Sequence, residues 1–250
     1  MLLRPDGDAV LAIGQASHAW LSGQLARAWG NDRFPAPSPW EEVCLGAEQH
    51  DVGMALWDLT PERHPRTGLP LQFFELDRRT HLALWAAAPQ HVLTQSRYAA
   101  LLVSLHGTGL YDRFPPRTDD PEIAQAVADY RAGQRVLQER LAREVGATPQ
   151  ELARNQALLA VWDDLSLALC HDRTPHEVRG VPAADGAVTL RLAGGGDHVT
   201  LDPWPLALDA LEVRAEGRRL AGPAADEPAL HAALERAPVQ TVRIVLRPKF

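Results

Sequence analysis

The chain has 250 residues, 46% of them hydrophobic and 23% charged, the balance of a globular protein of one large domain or two small ones. A formal net charge of −7 gives a nucleic-acid partner no electrostatic support, and no apolar run approaches the roughly 20 residues of a membrane span. The start, MLLRPDGDAV, lacks a charged-then-apolar targeting pattern, and Cys44 and Cys170 form no C-x-x-C pair, so a reducing, cytoplasmic setting is the simplest expectation.

The first two-thirds read as helices. Residues 15–29 carry Leu21, Leu25 and Ala28 at helical spacing, and His18 falls on the same stripe. Residues 38–51 open with Ser38, Pro39 and Glu41, the pattern of a capping box with proline at the first helical position. Val43, Ala47 and His50 then share a face. Residues 59–70, rich in Gly and Pro, read as a loop. The spacing predicts a short helix over 78–88 and a longer one over 89–107, with Pro89 at its start, Gly107 as its C-cap, and Ala99, Val103 and His106 on one stripe. Asp120-Pro121 starts another helix. Thr148, Pro149 and Glu151 open one that runs to about Cys170, is apolar nearly all round, and carries Asp163 and Asp164. After about residue 175 the period changes to two. Residues 187–194, 198–204, 210–217 and 240–247 read as strands, and 228–237 as a helix packed on them. Trp204 is expected to anchor this part on the helices.

Ten histidines are the informative excess in the composition. A single His on an apolar stripe is ordinarily a hydrogen-bonded core residue. Here, however, His18, the adjacent His50-Asp51 pair, His106 and Asp163 fall on apolar faces of four separate helices. Burying such groups without partners is costly. Divalent cations would satisfy all of them together, and imidazole with carboxylate suits Fe, Mn, Zn or Mg.

The order His18, His50-Asp51-Val52-Gly53, His81, His106 and Asp163-Asp164-Leu165-Ser166 resembles the HD-domain metal-dependent phosphohydrolase superfamily, over about residues 10–172. The whole chain also resembles an uncharacterised bacterial family of unknown function. The HD resemblance implies a mainly α fold: a helical metal-binding bundle over 1–174, with 175–250 left as a small antiparallel β module. It implies two divalent ions, Fe or Mn before Zn or Mg, held by His18, His50, Asp51, His81, His106 and Asp163. Asp51 would bridge the ions and position a metal-bound water as nucleophile. His81 is preferred to His91 because, were 89–106 one helix, His91 would lie about 22 Å from His106. Asp163 is preferred to Asp164 because Leu165 and Ser166 follow it in the family's register. Many relatives carry Lys or His directly after the glycine of the pair, where this chain has Met54. Arg97, Arg113 or Arg117 could replace that cation at an anionic substrate.

The implied activity is hydrolysis of a small phosphorylated metabolite or nucleotide. Two further readings stand beside it. The same six ligands occur in mixed-valent di-iron oxygenases resembling myo-inositol oxygenase, and a metal- or ligand-binding sensor would use the site without catalysis.

Overall fold

The computed structural model describes residues 1–115 and 118–249. Two strands, β1 (Leu2–Asp6) and β2 (Ala9–Ile13), open the chain as a hairpin. Its two-residue loop places Gly7 at φ +63, a conformation glycine adopts without penalty. Six helices follow: α1 (Gln15–Ala28), α2 (Trp40–Gln49), α3 (Arg78–Leu93), α4 (Arg97–Arg113), α5 (Pro121–Val145) and α6 (Pro149–Cys170). Then come β3 (His176–Ala183), β4 (Gly186–Gly195), β5 (His198–Asp202), β6 (Leu211–Leu220), α7 (Glu227–Arg236) and β7 (Val239–Pro248).

The seven strands form one curled sheet in the order β1-β2-β6-β7-β5-β4-β3. Every pairing is antiparallel except β5 with β7. This overturns the expected helical bundle with a small C-terminal antiparallel module: the fold is α+β and the sheet is mixed. The first thirteen residues belong to that sheet, because β2 pairs with β6, some 200 residues later in the chain. Neither that long-range pairing nor the parallel register of β5 leaves a local mark on the sequence.

The sheet and the helices share one core. Leu21, Leu25 and Trp29 of α1 and Trp162, Leu165 and Leu169 of α6 pack with Leu190, Leu201, Val213 and Ile244 of the strands. The apolar residues of α6 therefore meet the sheet on one side and other helices on the other, which explains its nearly uniform apolarity. Trp204 packs half-buried against this core. A second cluster joins Ala88 and Val92 of α3, Ala99 and Val103 of α4, and Leu141 of α5.

Three local expectations also change. Helix α2 begins at Trp40 with Pro39 in the cap position and no side-chain cap bond, so Ser38 builds no capping box. Helix α3 continues through Pro89 to Leu93; one missing N–H is tolerated in this packed helix. The break comes instead before Ser96, whose hydroxyl accepts from Ala99 N at 3.2 Å and caps α4. Gly107 is then an interior residue of α4, not its C-cap. A Cβ there would lie 2.8 Å from the Trp85 ring and strike the Tyr130 hydroxyl, so glycine is required for close packing of α3 and α5 on α4.

Candidate metal centre

Four helices deliver the candidate ligands to one place. His18 comes from the middle of α1, His50 caps α2, Asp51 follows it, His106 lies in α4 and Asp163 in α6. All five are buried. Gly53 allows the close approach of α3 to this corner, because a Cβ would sit 2.8 Å from Ala88 Cβ and strike the Leu84 carbonyl oxygen. Its role is therefore close packing and not the turning of the chain, since its φ is not positive.

The outer hydrogen bonds decide which ring nitrogens face inward. His50 Nδ1 donates to the Ala47 carbonyl at 2.8 Å, leaving Nε2 as its free atom. That Nε2 is buried without a hydrogen-bond partner, 3.4 Å from Asp163 Oδ1 and 3.7 Å from Asp51 Oδ2. Ser166 Oγ gives its proton to the Asp163 carbonyl at 2.8 Å, so His18 Nδ1, 2.9 Å away, donates to Ser166. His18 Nε2 consequently turns a lone pair toward Asp51 Oδ2 at 2.6 Å. Two electron pairs at that separation need a cation between them, either a proton or a metal ion. His106 Nε2 lies 3.6 Å from Asp163 Oδ2.

The electrostatics agree. Burial pushes the His50 imidazolium down, but the Asp51 and Asp163 carboxylates outweigh it and raise the group to about 9. Burial pushes both carboxyls up, yet His50 and its neighbouring imidazoles hold Asp51 and Asp163 below the usual carboxylate range. Burial pushes His106 down to about 4, so its ring stays neutral. The centre thus concentrates negative charge in a dry place, where a metal ion would displace the proton that His50 Nε2 otherwise carries. His18, His50 and Asp163 form one group able to hold a metal ion, and His50, Asp51 and His106 another, with the ligand atoms of each within 4.8 Å of one another.

His81 reaches the same cavity but joins neither group. Its Nδ1 is 2.6 Å from the Tyr111 hydroxyl, and its Nε2 accepts from Trp85 Nε1 at 3.2 Å. Burial and Arg78 push it to about 4. Asp164 also stands apart: its Oδ1 bonds His176 Nε2 at 2.9 Å on the cavity wall. His91 is exposed near the end of α3. The distance argument that set it aside assumed a single helix and does not hold, because α3 and α4 are separate; exposure is what keeps it from the site. Arg97 does not reach the site either. It sits at the far end of α4, 3.6 Å from Glu144, while Arg113 lines the cavity. Arg117 lies outside the described residues.

The cavity has a volume of about 440 Å³. Its floor is His18, Asp51, His106 and Asp163; Phe73, Trp85, Leu110 and Leu167 form apolar walls; and the exposed Arg113, Arg173 and Arg179 stand at the rim. A hollow of about 590 Å³ among Arg4, Asp6, His171 and Arg243 is larger, but none of the metal-capable groups lies in it.

Sequence reasoning missed Gln15, whose buried side chain donates from Nε2 to Asp51 Oδ2 at 3.0 Å. Its position three residues before His18, on the same helical stripe, was the available signal. Arg173 and Arg179 carried none, since their approach to the site depends on the path from α6 into the sheet.

Among the described residues no helix is long and apolar enough to cross a membrane. No curated protein and no solved structure matches the chain. A family model does match residues 1–222, that of a protein of unknown function, DUF3891, and the chain belongs to this family.

Proposed function

We propose that the protein is a metal-dependent hydrolase of a small anionic substrate, most simply a phosphoester. The observation that carries this reading is the arrangement of five buried ligand-type side chains, four of them at the floor of a cavity rimmed by three arginines. The order of these residues, which resembles the HD phosphohydrolases, supports it further. Three imidazoles and two carboxylates suit Fe or Mn, with Zn and Mg as alternatives.

A divalent ion bound here would supply Lewis acidity and lower the pKa of a water molecule. The chain's own residues do the rest. Ser166 and Ala47 orient the rings of His18 and His50 from behind, and Gln15 holds Asp51. Arg113, Arg173 and Arg179 attract and orient a phosphate at the entrance, in place of the cation expected where Met54 stands. Met54 itself is buried in an apolar cluster with Trp85 and Tyr111. Phe73, Leu110 and Leu167 keep the interior dry, which strengthens every charge interaction within it. Asp164, outside the ligand set, is bonded to His176 on the cavity wall.

Hydrolysis is preferred to the di-iron oxygenase reading because one ion is enough to activate a water, whereas a di-iron centre needs two ions and with them His81, which is bonded elsewhere through both nitrogens. The test is elemental analysis of the purified protein, followed by phosphate release from a panel of small phosphomonoesters and nucleotides before and after chelation. Chelator-sensitive release that returns with Fe or Mn is expected. Less than about a tenth of an ion per chain, after reconstitution with Fe, Mn, Zn and Mg, would refute the reading.

A further inference from the structure

Resting on the metal-binding reading above, we infer that the centre holds one tightly bound ion instead of a pair, and that His81 is a hydrogen-bonded wall residue and not a sixth ligand. Both metal-capable groups contain His50. Its Nδ1 is committed to the Ala47 carbonyl, so only Nε2 is free, and one lone pair serves one ion. The two groups therefore compete for His50, and an ion held in one leaves the other without its shared ligand.

The distances agree with this. Donors about 2.1 Å from one ion lie roughly 3 Å apart when adjacent and about 4.2 Å apart when opposite. The neighbouring donor pairs here are separated by 2.6, 3.4, 3.6 and 3.7 Å.

With His50 taken, a second ion would be left with the other group's two donors and whatever His81 could add. The Trp85 indole nitrogen can only donate, so His81 Nε2 must be the acceptor in that contact and its lone pair is occupied. A neutral ring then carries its proton on Nδ1, which donates to Tyr111 Oη. For His81 to ligate through Nε2, Trp85 must lose its acceptor, and Trp85 is only 4% exposed, with little water to replace it. Ligation through Nδ1 would break the bond to Tyr111 instead. The clamp is built from two helices, with His81 and Trp85 one turn apart on α3 and Tyr111 on α4.

The test is Mn(II) titration of the metal-free full chain by calorimetry, with electron paramagnetic resonance on the saturated sample. One ion per chain with the spectrum of an isolated Mn(II) is expected. His81→Ala should keep that ion with an affinity within about threefold, well inside the 10–100-fold loss typical of removing even an outer-shell partner of a metal ligand. His50→Ala should lose it. If His81→Ala does not fold, His81→Gln keeps an acceptor for Trp85 and a donor for Tyr111, and the same result is expected of it. Two ions per chain with a spin-coupled spectrum, or loss of an ion on replacing His81, would overturn the inference and leave the metal reading standing. No binding to the wild-type chain would overturn both.

Discussion

Asp51→Asn changes one atom and removes one charge from the centre. Asp51 Oδ2 stands 2.6 Å from His18 Nε2, 3.0 Å from Gln15 Nε2 and 3.7 Å from His50 Nε2. At 3.7 Å and an effective dielectric near 20, the attraction between Asp51 and a protonated His50 is about 4 kcal/mol, or about three pKa units. In the metal-free variant His50 should therefore fall by about that much from about 9, into the neutral range or below. This alone would ease metal entry at pH 7, since no proton need leave His50. The lost carboxylate, however, acts on a divalent charge at bonding distance, more strongly than on a proton at 3.7 Å. The net result should be a loss of affinity of at least about 100-fold. The assays are metal retention after dialysis, calorimetric titration, and NMR titration of the His50 ring in the metal-free protein, with circular dichroism as the control for folding. A folded Asp51→Asn protein that keeps its metal within about threefold of wild-type affinity, with His50 still titrating near 9, would refute the account of Asp51 as a ligand.

Stability of the metal-free protein should peak near pH 6.5. His81 and His106 are held at about 4 in the fold and ionise near 6.5 when unfolded. Between those values the unfolded chain binds the extra protons, so stability falls as pH drops from 6.5 to 4, by up to about 3 kcal/mol for the buried His106 and less for the partly exposed His81. His50 works in the opposite sense: its raised pKa contributes stability that is complete below 6.5 and is lost as pH rises through about 9. Urea unfolding across this range checks both slopes, and a flat profile would contradict them. Ser166→Ala removes the acceptor for His18 Nδ1 and frees that ring to change tautomer. A 10–100-fold weaker metal affinity is expected, measured by competition with a chelator, and an unchanged affinity would show that Ser166 does not orient His18.

Much of the candidate centre was legible because ligand-type residues on an apolar helical stripe break the pattern around them. His18, His106 and Asp163 stand out for that reason, and His50-Asp51 does so at a helix end. The least secure choice was His81, since nothing local distinguishes an inward-facing histidine that binds a metal from one bonded to Trp85 and Tyr111. The choice between His81 and His91 had rested on a helix boundary placed at Pro89, where proline's local preference for a helix start suggested one. The packed core kept α3 helical past it, and the hydroxyl of Ser96 set the true start of α4.

What the sequence by itself determined are the elements whose signals are local: the 3.6-residue stripes of α1, α4 and α6, the Thr148 cap, and the alternating strands β4 to β7. Tertiary structure alone decided the mixed sheet, the return of the first thirteen residues onto β6, and the arrival of Arg173 and Arg179 at the cavity rim. It also decided that Gln15 bonds Asp51 and that His81 bonds Tyr111 and Trp85. The physical reason is the range of the interactions. Helix periodicity and caps act within a few residues, whereas strand pairing and the choice of partner for a buried imidazole depend on groups distant in the chain and close only once the core has formed.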